Sequence, residues 1–221
     1  MARRALPRAA RSPSVAREPL GLRLFRGRRP VAPVDFLVIG LGNPGSRYAG
    51  TRHNVGFEVA SLLAQRWDLP RAQKRYGALV TEGRIGPGMP RVAVLLPQTY
   101  MNESGRAAGP ARGEYRLELD QIVAVYDEID LPFGEVRERK GGGTAGHNGI
   151  KSLRDGLGSG DFWRMRVGVG RPDSTDPEVV SAHVLSRFTE SASDVRALIE
   201  RAADATERLL EREQAGRAAP S

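Results

Sequence analysis

Two short, unbroken apolar runs constrain the fold of this chain more than any other feature. Phe36-Leu37-Val38-Ile39 leads directly into Gly40, Gly42 and Gly45, and Ile122 to Tyr126 leads directly into Asp127. Neither run alternates apolar with polar residues, so each predicts a buried strand rather than one with a wet face. Helix-period segments lie between and beyond them. Asn54 precedes Val55, Val59, Leu62 and Leu63, which fall on one helix face, and is expected to cap that helix. Glu190 to Arg212 carries Val195, Leu198, Ile199, Ala202 and Leu209 at the spacing of a long amphipathic helix. Tyr76 to Ile85 and Arg91 to Leu96 flank Gly86-Pro87-Gly88-Met89-Pro90, a hairpin signal. Glu135 to Arg139 predicts a more polar strand, Ile150 to Leu157 a short helix, and Trp163 to Gly170 an alternating strand. Strands interleaved with helices predict an α/β fold: a single three-layer α/β/α domain with a twisted mixed sheet.

The 221 residues suffice for one domain with a substantial core. No apolar run approaches the length of a membrane span. The chain has no Cys, which excludes disulfides, thiolate metal sites and Cys nucleophiles. Its three His, at 53, 147 and 183, form no recognised metal-binding spacing, so no metal is expected. The net charge of +8 sits almost entirely in residues 1–35, where nine Arg face only Glu18 and Asp35. Global basicity is therefore no argument for nucleic-acid binding by the folded part. A local cluster is better evidence: from Arg137 to Arg171, eight basic residues face three acids. On its own it fits a solvated face equally well.

Residues 1–33 are rich in Arg, Ala and Pro and lack periodicity, so a disordered basic extension is expected there. A mitochondrial presequence has the same character, as does a start site set too early. The domain is expected over 34–213, with a disordered tail over 214–221.

Three segments hold most of the reactive side chains. The first is Gly40-Leu41-Gly42-Asn43-Pro44-Gly45 with Thr51-Arg52-His53-Asn54; the second is Thr99-Tyr100-Met101-Asn102-Glu103-Ser104-Gly105; the third runs from Asp127 to Gly146-His147-Asn148-Gly149. The first glycines match a dinucleotide-binding spacing, but Pro44 and a further loop stand where a helix must begin. No Gly-Lys-Ser/Thr follows Gly141-Gly142-Gly143, and there is no Gly-x-Ser-x-Gly elbow. Asp127 falls at the carboxyl end of a buried strand, where α/β sheets place ligands. A carboxylate holding one ring nitrogen of His53 would leave the other free to take a proton. Side-chain amides could orient a carbonyl beside it. Alone, each of these residues is an ordinary loop residue.

In order and spacing these segments resemble bacterial-type peptidyl-tRNA hydrolase, from about Val34 to about Glu213. The resemblance implies a phosphorylase/hydrolase-like α/β fold and cleavage of the ester between a peptide and tRNA. It implies His53 as general base, Asp127 as its orienting acid and Asn43 at the peptide carbonyl. Tyr48, Met101, Asn102, His147 and Asn148 would contact substrate, and Arg137, Arg139 and Arg166 would grip tRNA phosphate. Peptidyl-tRNA is the expected partner of a cytoplasmic monomer (mitochondrial if residues 1–33 are a presequence), with no cofactor, metal or membrane. The alternatives are a non-catalytic RNA-binding relative of the same fold and a hydrolase of small N-acylated esters. The chain departs from the family at Thr144-Ala145 and at Gly109-Pro110. An interior Pro costs about 3 kcal/mol or more, so the helix after Ser104 is expected short, kinked or late.

Overall fold

The computed structural model describes residues 32–218; the expected extension at 1–33 lies almost wholly outside them. Seven strands form one sheet in the order β2-β3-β4-β1-β5-β7-β6. They are β1 (Phe36–Gly40), β2 (Gln73–Arg75), β3 (Ala78–Arg84), β4 (Arg91–Pro97), β5 (Ile122–Glu128), β6 (Val136–Lys140) and β7 (Trp163–Gly168). The central strands β4, β1, β5 and β7 run parallel, while β2, β3 and β6 are antiparallel to their neighbours. The two apolar runs are the centre of this sheet: β1 and β5 pair with each other and are buried along their whole length.

The helices are α1 (Val55–Arg66), α2 (Gly105–Tyr115), α3 (Asn148–Leu157), α4 (Pro177–Leu185) and α5 (Ala192–Ala218). Successive residues of a strand face opposite sides, and the core divides accordingly. Leu37, Ile39, Ala124 and Tyr126 share one cluster with Ala107 and Ala111 of α2 and Ile150 and Leu153 of α3. Phe36, Val38, Val123, Val125 and Val167 share the other with Val59 and Leu63 of α1 and Leu198 and Leu209 of α5. The result is the expected three-layer α/β/α domain.

Four details differ from the sequence expectation. The last helix continues to Ala218, so residues 214–218 are helix and not tail. Its final turns are exposed apart from partial burial at Glu213 and Gln214, so no apolar pattern marked them. Strand β2 was not foreseen; its Gln-Lys-Arg sequence is an exposed edge with no apolar signature. Helix α4 was also missed, although Asp176 caps Glu178 N–H and Pro177 stands at its first turn, a recognised start signal. Finally, α2 begins immediately after Ser104 and carries Pro110 inside it. Pro110 is exposed, so water can satisfy the Arg106 carbonyl that the ring deprives of its partner. Close packing offsets the rest. A Cβ on Gly105 would stand 2.0 Å from the Ser152 carbonyl oxygen of α3, so only glycine permits this crossing.

The chain leaves β1 toward β4 on one side and later returns to β5 on the other. The carboxyl ends of β1 and β5 thus diverge at a topological switch point, where α/β sheets open a crevice.

Candidate active site

The crevice is a cleft of about 720 Å³. The loop after β1 brings Asn43 to it, the turn before α1 brings His53, the turn after β4 brings Met101 and Asn102, β5 brings Asp127, and the start of α3 brings His147 and Asn148. Gly56 makes the approach of the His53 turn possible. A Cβ there would lie 2.2 Å from the Val125 carbonyl oxygen, so glycine lets the first turn of α1 rest on the strand backbone.

Asn54 does not cap α1. Its side chain instead clasps the turn at Asn43, accepting from Asn43 N–H at 2.8 Å and donating to the Asn43 carbonyl at 3.0 Å. Asn43, 6% exposed, accepts Met101 N–H on Oδ1 at 2.8 Å. That bond assigns the amide: the Nδ2 protons are what Asn43 can offer the cleft.

Asp127 is 2% exposed and takes hydrogen bonds from two imidazoles. His53 Nδ1 lies 2.9 Å from both carboxylate oxygens, and His147 Nε2 lies 3.0 Å from Oδ1. The His147 tautomer follows from its other nitrogen. Nδ1 accepts the Gly149 and Ile150 N–H groups at 3.1 and 3.3 Å, capping α3, so the proton must sit on Nε2. Both ring nitrogens of His147 are thus engaged inside the protein, unlike those of a residue free to hydrogen-bond substrate. Burial alone would raise the Asp127 pKa. The electrostatic pull of His53 and His147 and the bonds from both rings outweigh it and hold the carboxyl well below the usual carboxylate range. Burial alone would lower the His53 pKa, but the Asp127 charge and hydrogen bond more than offset it, and the net shift is upward from 6.5.

His53, Asp127 and His147 also satisfy the distance condition for a cation, their ligating atoms lying within 4.8 Å of one another. The chemistry fits poorly. A metal would need the Nε2 lone pair of His147, and the two backbone donors on Nδ1 force the proton onto that nitrogen.

Asn102 and Asn148 are exposed, and their amides make no hydrogen bond to other described residues. Tyr48 does not line the cleft; its ring lies beneath the Arg47 guanidinium, 4.7 Å from the centroid. One wall of the cleft comes from α4, through Val180, Val184 and Leu185, and Tyr100, which is 60% exposed, also lines it. Neither the α4 wall nor Tyr100 was singled out from sequence. A Tyr inside a matched motif was the available signal.

The register of β6 on β7 sets Arg137 opposite Arg166, and Arg139 opposite Arg164. All four side chains therefore rise from one face. Their surroundings differ. Arg164 is 2% exposed and holds the carbonyls of Gly142, Gly143 and Gly160, so it anchors the glycine loop and is not part of a surface. Arg166 is largely buried and donates from Nε to the buried Glu128 carboxylate at 3.0 Å. Arg137 is exposed and paired with Glu135, and Arg139 is exposed.

Comparison with known proteins converges on one family. The family model for peptidyl-tRNA hydrolase matches residues 37–219. A peptidyl-tRNA hydrolase of Mycobacterium avium is 49% identical over 179 residues, covering 80% of this chain and 91% of the relative. One from Mycobacterium tuberculosis is 48% identical over 180 residues, again 80% and 91%. A crystal structure of the Acinetobacter baumannii peptidyl-tRNA hydrolase superposes with a TM-score of 0.72 at 34% identity, covering 85% of this chain and 94% of the other.

Proposed function

The chain belongs to the peptidyl-tRNA hydrolase family and hydrolyses peptidyl-tRNA, and from that premise we propose that His53, steered by Asp127, activates the attacking water. The observation that carries this assignment is the buried Asp127 carboxylate bound to His53 Nδ1, which leaves His53 Nε2 as the available base in the cleft.

His53 Nε2 takes a proton from water as the water oxygen attacks the ester carbonyl carbon. Negative charge gathers on the carbonyl oxygen, and the Nδ2 protons of Asn43, already aimed by the Met101 bond, stabilise it. The imidazolium next to Asp127 then returns its proton to the ribose oxygen as the ester bond breaks. The products are a peptide carboxylic acid and a tRNA with a free ribose hydroxyl. Asp127 stays ionised throughout, as its depressed pKa favours.

Asn102 and Asn148 present free amides to the peptide and the water, and Met101 supplies an apolar floor. His147 acts through Asp127: its Nε2 proton fixes the carboxylate that fixes His53. This differs from the direct substrate contact that the family resemblance suggested. Tyr48 serves the ribose end. Arg137 and Arg139 meet tRNA phosphate, with Arg166 contributing what its bond to Glu128 leaves free.

The test is cleavage of N-acetyl-aminoacyl-tRNA and of unblocked aminoacyl-tRNA by wild type and His53→Ala. Loss of general-base catalysis typically removes about 10²–10⁴-fold in rate. A His53→Ala protein that cleaved blocked tRNA at the wild-type rate would refute the assignment.

A further inference from the structure

Arg52, next to the proposed general base, is buried although it is an arginine, 3% exposed, and its guanidinium bonds to residues 186–190. It holds the segment that leaves α4. Nη1 donates to Ser186 Oγ at 2.8 Å and to the Arg187 carbonyl at 2.5 Å. Nη2 donates to Thr189 Oγ1 at 3.1 Å and to Glu190 Oε2 at 3.2 Å. The same guanidinium stands 5.2 Å from the centre of the Phe188 ring. The backbone reinforces it: Arg52 N–H donates to the Ser186 carbonyl at 3.1 Å, and Thr51 bridges Arg187.

We propose that Arg52 is a positioning residue that clamps α4 to the His53 segment and thereby sets affinity for the peptide part of the substrate. The proposal rests on the hydrolase chemistry assigned above. Its physical basis is the burial of α4. That helix has no buried residue, so apolar burial contributes little to fixing it. An element with few buried contacts opens at low free-energy cost unless polar contacts hold its ends. At α4 those contacts are the Arg52 clamp after Leu185 and one bond from His183 Nε2–H to the Gly170 carbonyl, 3.0 Å long. Yet Val180, Val184 and Leu185 form the apolar wall of the cleft. A wall that wanders presents less surface to a bound peptide, and ordering it is charged against binding. The buried guanidinium thus couples the His53 turn to the distance between cleft walls. A blocked single amino acid reaches this wall less than a chain of several apolar residues does.

The test compares two substrates, an N-acetyl-aminoacyl-tRNA and a peptidyl-tRNA carrying several apolar residues. The variants are Arg52→Lys, Phe188→Leu and Glu190→Gln, the last two loosening the clamp without touching the catalytic segment. Each should raise KM for the longer substrate roughly three- to tenfold, the order expected when one hydrogen bond of ordinary net strength or its stacking partner is lost. KM for the short substrate and kcat for both should move by less than about twofold. Amide exchange over 177–185 should quicken in the same variants. Arg52→Lys combined with Glu190→Gln should cost no more than the worse single change, since both open one clamp. The proposal fails if the ratio of the two KM values is unchanged in Phe188→Leu and Glu190→Gln. It fails equally if kcat for both substrates falls together, because Arg52 would then act on His53. Wild-type protein inactive on both substrates would instead overturn the chemistry on which the proposal rests.

Discussion

A single proton location organises the cleft. Two backbone N–H groups at the start of α3 occupy His147 Nδ1, so Nε2 must donate to Asp127, and Asp127 in turn holds His53. His53 must be neutral to act as a base, and its pKa is raised from 6.5. The base form therefore accumulates only above that raised value, and kcat/KM should fall as pH drops through it. Asp127→Asn removes the charge that raises the pKa and leaves burial, which lowers it. The acid limb of the pH–rate profile should move to lower pH while the plateau rate falls, since the amide can hold the wrong ring tautomer. An unchanged limb position would show that Asp127 does not set the basicity of His53. Asn102→Ala and Asn148→Ala test the free amides. A lost hydrogen bond in a preorganised site costs about 2.7–4 kcal/mol in rate. Both amides are exposed and unpartnered within the described chain, so melting temperatures should hold while turnover falls. A lowered midpoint with unchanged rate per folded molecule would make them loop braces.

Elements were legible where an apolar run or period was strong. Both apolar runs became the central strands, and Val55, Val59 and Leu63 became the inner face of α1. Legibility failed where tertiary contacts overrode local preference. Asn54 has the identity of a cap but spends its amide on the Asn43 turn, a contact spanning eleven residues. Pro110 has the identity of a breaker but lies in a helix held by its glycine-mediated contact with α3. That contact yields a stability prediction. Pro110→Ala restores a backbone donor at an exposed position and should stabilise the fold by about 2 kcal/mol, the interior penalty less the entropy proline removes from the unfolded chain. Chemical denaturation measures it. A lowered midpoint would mean that the ring itself supports the α2–α3 contact.

For the whole molecule, the sheet order decides what the basic residues can do. Arg137 and Arg139 share a face by strand geometry alone, but Arg166 joins them only because β6 lies antiparallel on β7 in this register. Arg164 rises from the same face but is buried, its guanidinium holding the glycine-loop carbonyls. The eight basic residues of that stretch are therefore not one uniform surface. Changing Arg137 or Arg139 to Ala should raise KM for peptidyl-tRNA more than it lowers kcat. Each lost phosphate contact should flatten the slope of log affinity against log salt by roughly 0.7–0.9. Arg166→Ala should do less to the slope and more to stability, because it strands the buried Glu128 carboxylate. A salt slope unchanged in Arg137→Ala and Arg139→Ala would place the RNA surface elsewhere.

The sequence by itself determined the α/β class, the buried central strands and the three segments that carry His53, Asp127 and the asparagines. These depend on apolar period and local turn chemistry, both written along the chain. Only the tertiary structure decided that His147 serves Asp127, that Arg52 and Arg164 are buried anchors rather than surface charge, and that an unburied helix walls the cleft. The reason is the same in each case. A polar side chain has several chemically equal partners within reach of the unfolded chain, and which one it keeps depends on what the packed sheet brings within about 3 Å.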